Sequence, residues 1–172
     1  AVAATGDDAF GLRVARHVNQ ATFHALTVTT LVSDSLRDAM QRMVRYGRVV
    51  TDAAQMQFGE DARHCWVELG HVPVDPPPAW QAVDAFAAIL VRTARALAGG
   101  DCHPVQASLA RPAPPSLERF EQTFACPLQL GAAQTRIVYD RGQALRPLET
   151  AHTPLPPGTP AHLHVLQRLL PS

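Results

Sequence analysis

Between residues 35 and 69 the hydrophobic period changes once, and that change restricts the possible folds more than any motif in the chain. In "SLRDAMQRMVRYG" the apolar residues Leu36, Ala39, Met40, Met43 and Val44 recur at i, i+3, i+4, i+7 and i+8, the spacing of one helical face. Ser35, with Asp38 three residues on, supplies an S-x-x-D capping box for the helix start, and Gly47 is expected to break the helix. Beyond it the period is two. "QMQF" (55–58) and "HCWVEL" (64–69) flank "GEDAR" and predict a β-hairpin with a glycine-containing loop. Met56 and Phe58 share one face of the first strand. On the second, Cys65, Val67 and Leu69 face one way and His64, Trp66 and Glu68 the other. A helix that runs into a hairpin needs a sheet to lie on.

The rest of the chain adds elements of the same two kinds. Asp7 or Asp8 is placed to cap a first helix with Phe10, Val14 and Val18 along one side, ending near Asn19. Residues 22–32, rich in threonine and valine, are read as helix from their position between two helices, although composition favours strand. After the stiff "VPVDPPPAW" connector, a long helix is predicted from Pro78 to Gly99-Gly100, with Trp80, Val83, Phe86, Leu90, Ala94 and Leu97 as its buried stripe. A strand at 104–111, a short helix at 116–124 and a second hairpin over 127–139 follow. A loop at 140–158 and a last helix at 160–170 complete the order. Blocks of helix and antiparallel strand predict an α+β domain with a mostly antiparallel sheet packed with several helices. The length of 172 residues suits one domain, spanning 1–172, with a core that needs no disulfide or structural metal.

Composition removes several function classes. Fifteen basic residues balance fifteen acidic ones, so the overall positive charge of a nucleic-acid binder is lacking. Every basic residue is arginine, which together with abundant Ala and Pro reads as coding bias before it reads as function. Four of these arginines, Arg37, Arg42, Arg45 and Arg48, stand opposite the apolar stripe of the 35–47 helix. A DNA-recognition helix needs a partner helix just upstream, whereas this one leads into a strand, so its arginines are the wet side of a packing helix. Cys65, Cys102 and Cys126 are odd in number and lack a C-x-x-C spacing, which points to a reducing cytosol and to no zinc site. "AFAAILV" (85–91) is too short to cross a bilayer, and no secretory signal precedes it, so no membrane partner is expected.

Chemistry-bearing residues are few. His162 and His164 stand two apart, the wrong spacing for a shared metal face on a helix, and no metal or other cofactor is expected. His64 and Cys65 are adjacent on a strand and point to opposite faces, so they make a poor nucleophile pair. No P-loop, dinucleotide fingerprint, G-x-S-x-G or H-E-x-x-H occurs, and no catalytic residue is assigned. Tyr46, His64, Trp66 and Arg136 are the residues chosen to line a small-molecule pocket, since such sites join apolar walls to a few placed polar groups. Arg63 and Arg119 are read as solvated.

Three stretches carry a resemblance: "DDAFGLRVARHV" (7–18), "LVSDSLRDAMQRMVRYGRVVTDA" (31–53) and "PAPPSLERFEQTFACPLQLGAAQTRIVYDRGQALRPL" (112–148). Together they resemble the N-terminal effector domain of AraC-type bacterial transcription regulators, the subgroup labelled arabinose-binding type. Phe124, Cys126, Pro127, Gly131 and Ala132 match that family's Phe-Gly-Cys-Pro and Phe-Gly-Ala pattern, while Ala125, Leu130 and Thr135 depart from it. The resemblance implies a domain that binds a small-molecule effector and a second copy of itself. It also implies a C-terminal helix-turn-helix domain, absent from this chain, that reads DNA. The effector class stays open among sugars, amino acids and fatty acids. Two other readings compete. One is a stand-alone small-molecule-binding protein or small enzyme using Cys65 or Cys126, and the other is an interaction module that dimerises without a ligand.

Overall fold

The computed structural model describes residues 7–18, 33–50, 54–71 and 79–148, and within them the side chains of all but 46–50, 54 and 71. The helices expected at 22–32 and 160–170 lie outside the described residues. Five helices and one five-stranded sheet occur among those described, giving an α+β fold.

The first helix, α1 (Phe10–His17), starts after Asp7, whose Oδ1 accepts from the Ala9 amide at 2.9 Å. Its buried side is Gly11, Leu12 and Ala15, and Val14 is exposed, so the expected Phe10–Val14–Val18 stripe is not the packing face. Gly11 decides this. A Cβ there would lie 2.0 Å from the carbonyl oxygen of Gln81, so α1 meets the long helix backbone to backbone along the Gly11 side.

Helix α2 (Leu36–Val50) begins as predicted. The Asp38 amide donates to Ser35 Oγ at 3.2 Å, while the Asp38 carboxylate accepts from the Asp34 amide at 3.2 Å and from Arg42 at 2.9 Å. Leu36, Ala39, Met40 and Met43 are buried and Val44 packs against the same core. The helix runs through Gly47 to Val50, contrary to the break expected there. One glycine costs a helix about 1 kcal/mol relative to alanine, too little to end it by itself.

The predicted hairpin forms from β1 (Ala54–Glu60) and β2 (His64–His71), antiparallel, with Met56 opposite Leu69 and Phe58 opposite Val67. Helix α3 (Trp80–Ala98) ends at Gly99, which has φ +91°. Its buried side holds Asp84, Ala87, Ala88, Leu90, Val91, Ala94 and Leu97, and Trp80 at its first turn is exposed rather than part of the stripe.

The predicted second hairpin is not formed. Strand β3 (Gln106–Leu109), helix α4 (Glu118–Phe124) and strand β4 (Leu128–Leu130) make a crossover unit in which β4 lies parallel to β3. Strand β5 (Thr135–Asp140) then passes over the end of β3 and inserts between β3 and β2, antiparallel to both, so the sheet order is β1-β2-β5-β3-β4. The turn after β4 is tied to β3, with the amides of Gly131 and Ala132 donating to the carbonyls of Arg111 and Leu109. The burial patterns give the reason. Thr135, Ile137 and Tyr139 all lie buried on one face of β5, which suits a central strand, whereas β4 has no buried residue and suits an edge.

A short α5 (Arg141–Ala144) occupies the start of the expected 140–158 loop. Asp140 caps it through an Oδ1 contact with the Gln143 amide at 2.7 Å.

Helices α1, α2, α3 and α4 thus bury their apolar sides with one face of the sheet in a single core. Alternation leaves Gln57, Gly59, Trp66, Glu68, Gln106, Ser108, Arg136 and Val138 on the other face.

Candidate functional site

Two places bring chemistry-bearing side chains together, one on each side of the sheet. The inner one is a cavity of about 10 Å³ between α2, α3 and the strands. Leu36, Met40 and Met43 come from α2, Leu90, Thr93, Ala94 and Leu97 from α3, Val67 from β2, and Ile137 and Tyr139 from β5. The volume is about that needed for one water molecule. Two of the chain's three methionines form its α2 wall, and α2 packs chiefly on β1 and only lightly on α3. Unbranched thioether side chains are adaptable packing material.

Tyr139, with Thr93, is a polar exception in this wall. It is 1% exposed, and its hydroxyl has no hydrogen-bond partner among the described residues. Burial pushes the phenol far above its usual range, so it stays a protonated donor. A buried hydroxyl left without a partner costs about 1–3 kcal/mol. The nearby guanidinium of Arg95 is turned elsewhere: it donates to the carbonyls of Thr123 at 2.9 Å and Phe124 at 3.0 Å, capping the end of α4.

On the outer face Arg136 stacks on Trp66, 5.2 Å from the ring centroid, and pairs with Glu68 Oε2 at 2.5 Å. Trp66 lies flat across Gly59 of the neighbouring strand, where a Cβ would come within 2.5 Å of the indole. Of the four residues chosen from the sequence, Trp66 and Arg136 therefore do meet, through Glu68 and Gly59. His64 stands apart at the strand end, its Nδ1 3.7 Å from Asp61 and its side chain 42% exposed. The Tyr46 side chain lies outside the described residues. None of Trp66, Arg136 and His64 lines the inner cavity.

The cysteines are packing residues. Cys65 is fully buried and Cys126 partly so, and burial pushes both thiols up to about 11. Both thiols are thus held in their protonated, less nucleophilic form. Cys65 also faces the core while His64 does not.

Sequence reasoning passed over Tyr139 and Arg111. The signal for Tyr139 was the T-x-I-x-Y alternation of β5, which places a phenol on an otherwise apolar face. Arg111, 5% exposed, joins four parts of the fold. It pairs with Asp84 of α3 at 2.8 Å, donates to the Asp8 carbonyl before α1 and to the Pro112 carbonyl, and stacks on Phe120 of α4 at 5.0 Å. No pattern in the sequence marks it.

Residues 1–148 match the family described as the arabinose-binding domain of AraC transcription regulator, N-terminal. The chain belongs to this family. Among solved structures it is similar to the transcriptional regulator CdpR from Pseudomonas aeruginosa, with a TM-score of 0.61 at 14% identity. The likeness covers 82% of this chain and 46% of that one, so the chain spans about half the length of that regulator. At this identity the likeness concerns the fold. No curated protein matches the sequence. The AraC N-terminal domain family is one of transcription regulators. Among the described residues, no helix is long and apolar enough to cross a membrane.

Proposed function

We propose that this domain is the sensing half of an AraC-type regulator: it binds a small-molecule effector, pairs with a second copy of itself in the cytoplasm, and governs DNA binding by a separate helix-turn-helix domain. Family membership supports the regulatory role. The observation that supports the sensing role is the match to the family's N-terminal binding domain over residues 1–148, with the apolar gap between α2 and α3 as the place where a molecule would enter. No chemical step is assigned to the domain.

The mechanism is a shift of population. An effector changes DNA affinity only by as much as it binds one arrangement of the domain better than another. Helix α2 is the element suited to hold two arrangements. Its first turn is fixed, with Arg37 bonded to Glu60 at 2.7 and 2.5 Å, the Leu148 amide donating to the Asp34 carbonyl, and Ser35 bridged to Pro147. Farther along, Met40 and Met43 face the cavity. A molecule wedged between α2 and α3 therefore turns α2 about its anchored start.

The test is a thermal-shift screen of the domain against sugars, amino acids and fatty acids, followed by operator binding of the complete regulator with each hit. A ligand at a hundred times its Kd raises stability by about 2.7 kcal/mol. Sensing is supported when a compound that stabilises the domain also changes operator affinity. It is overturned when none does so at millimolar concentration. The small size of the cavity favours one second reading, a dimerisation module without a ligand. Concentration-dependent sedimentation with no ligand response in either assay is its signature.

A further inference from the structure

We infer that a second copy of this chain docks on the free edge of β1, its own β1 lying antiparallel across a two-fold axis at Gln57 so that the two sheets join into one. The inference rests on the self-pairing proposed above and names its surface. Strand β1 ends the sheet order, and among the described residues no strand lies beyond it. Which backbone groups it leaves open follows from the alternation of antiparallel pairs. The Asp61 amide donates to the His64 carbonyl at 2.9 Å, which makes 61 and 64 a bonded pair. On the far side of β2 the Arg141 amide donates to the Arg63 carbonyl at 2.8 Å, so 63, 65, 67 and 69 turn to β5 and the residues between them to β1. Both bonds lead to one result. Gln55, Gln57 and Gly59 turn their N–H and C=O groups to β2, while Met56 and Phe58 turn theirs outward.

An open edge is a template for another strand, and proteins that stay single guard it with a lysine, a proline, a bulge or a very short strand. The opposite edge, β4, has only three residues. Strand β1 has seven, holds no lysine, arginine or proline, and pairs with β2 residue for residue without a bulge. Its one charge, Glu60, stands at the strand end and is held by Arg37.

The strand is also complementary to itself, which is why the occupant is a second copy and not a foreign segment. Only the register centred on Gln57 pairs all seven residues of "AQMQFGE" with those of another β1. It sets Met56 of each copy against Phe58 of the other, as bonded pairs made from the outward groups, and Gln57 against itself. Each Glu60 then faces Ala54, so no like charges are opposed. Phe58, half-buried with Arg37 5.8 Å from its ring centroid, gains an apolar neighbour. Centring on Phe58 instead would set Met56 against Glu60 and draw two Arg37 guanidiniums toward the axis.

The test uses the 172-residue chain. Sedimentation equilibrium gives its dimerisation constant, and residue-resolved amide hydrogen exchange on either side of that concentration locates the surface. The Met56 and Phe58 amides should gain about tenfold protection in the dimer, while those of Gln57 and Gly59, bonded to β2, stay protected throughout. Gln57→Lys and Gln57→Glu change an exposed side chain and oppose like charges across the axis. Each should dimerise about fivefold more weakly at low salt, and their equimolar mixture should recover the parent's affinity. Recovery on mixing is particular to a position that meets itself. Should a variant fold poorly, exchange in the parent decides.

A dimer whose Met56 and Phe58 amides exchange as fast as in the monomer, or whose two Gln57 variants do not recover on mixing, overturns the edge and leaves self-pairing standing. A chain that stays monomeric at millimolar concentration removes both. Protection of those two amides in the complete regulator would then assign the edge to another of its segments.

Discussion

Ala125 is the residue at which this chain departs from its family's Phe-Gly-Cys-Pro pattern, and it is also the one described residue other than glycine with positive φ, at φ 50°, ψ 43°. It ends α4 in the left-handed conformation, its amide donating to the Glu121 carbonyl. A Cβ in that conformation costs about 1–2 kcal/mol, which glycine avoids. Ala125→Gly is therefore expected to stabilise the domain by about 1 kcal/mol, read as a higher denaturant midpoint at unchanged slope. The sequence alone showed that a glycine was missing. It did not show that the backbone keeps the glycine's conformation, where Arg95 holds the carbonyls of Thr123 and Phe124, the last two residues of the helix. Trp66 and Arg136 illustrate the converse. Their types suggested a pocket, yet strand register sets them on the solvent side, stacked together over Gly59.

At the scale of elements, the closest contact between helices is that of α1 with α3. Helix α1 reaches α3 through Gly11, and Arg92 of α3 donates back to the Ala15 carbonyl. Gly11→Ala brings a methyl carbon into the Gln81 carbonyl, which backbone cannot avoid by a rotamer change. A loss of about 1–3 kcal/mol is expected in chemical denaturation, although alanine is the better helix former.

Helix α2 is joined to the hairpin by Glu60, which accepts from Arg37 and, at 3.5 Å, from Arg141. Hydrogen bonding to Arg37 comes first among the causes that hold the Glu60 carboxyl down at about 2, against an ordinary 4.5. A lowered folded value means stability present above about pH 4.5 and lost as the pH falls toward 2. Glu60→Gln should remove that acid limb from a stability–pH profile and increase hydrogen exchange at the start of α2. The first half of α2 and both strands of the hairpin were legible in the sequence, since each is set by local periodicity and a local cap. The β4–β5 arrangement was not. Four residues between two apolar runs fit a hairpin, and only competition for the central position in the sheet sends β5 past β3 to β2.

For the molecule as a whole, the pair Arg111–Asp84 lies where α1, α3, α4 and the end of β3 converge. Burial pushes the Asp84 carboxyl up to about 6 from an ordinary 3.8, against the pull of Arg111. Between these two values the folded protein holds a proton that the unfolded chain has released, so this group's contribution is full below pH 3.8 and is lost as the pH rises through 6. Asp84→Asn should flatten that part of the profile, and its stability relative to the parent should improve as the pH rises from 4 to 7. The direction is opposite to that of Glu60, and the two windows are separable in one series of urea titrations.

The sequence by itself determined the fold class, the amphipathic helix with its Ser35 start, the first hairpin and its faces, the end of the long helix at Gly99, and, through the 112–148 block, the family. All of these rest on local spacing, capping or turn chemistry, which neighbouring residues fix. The tertiary structure decided the rest: the path of β5, the Arg111 junction, and which polar residue faces the interior. Tyr139 and Trp66 are alike to a reader of the sequence, each an aromatic with one polar atom on an alternating strand. The pairing of Trp66 with Val138 and of Cys65 with Tyr139 turns one outward and the other in, because only the packed sheet says which face the helices cover.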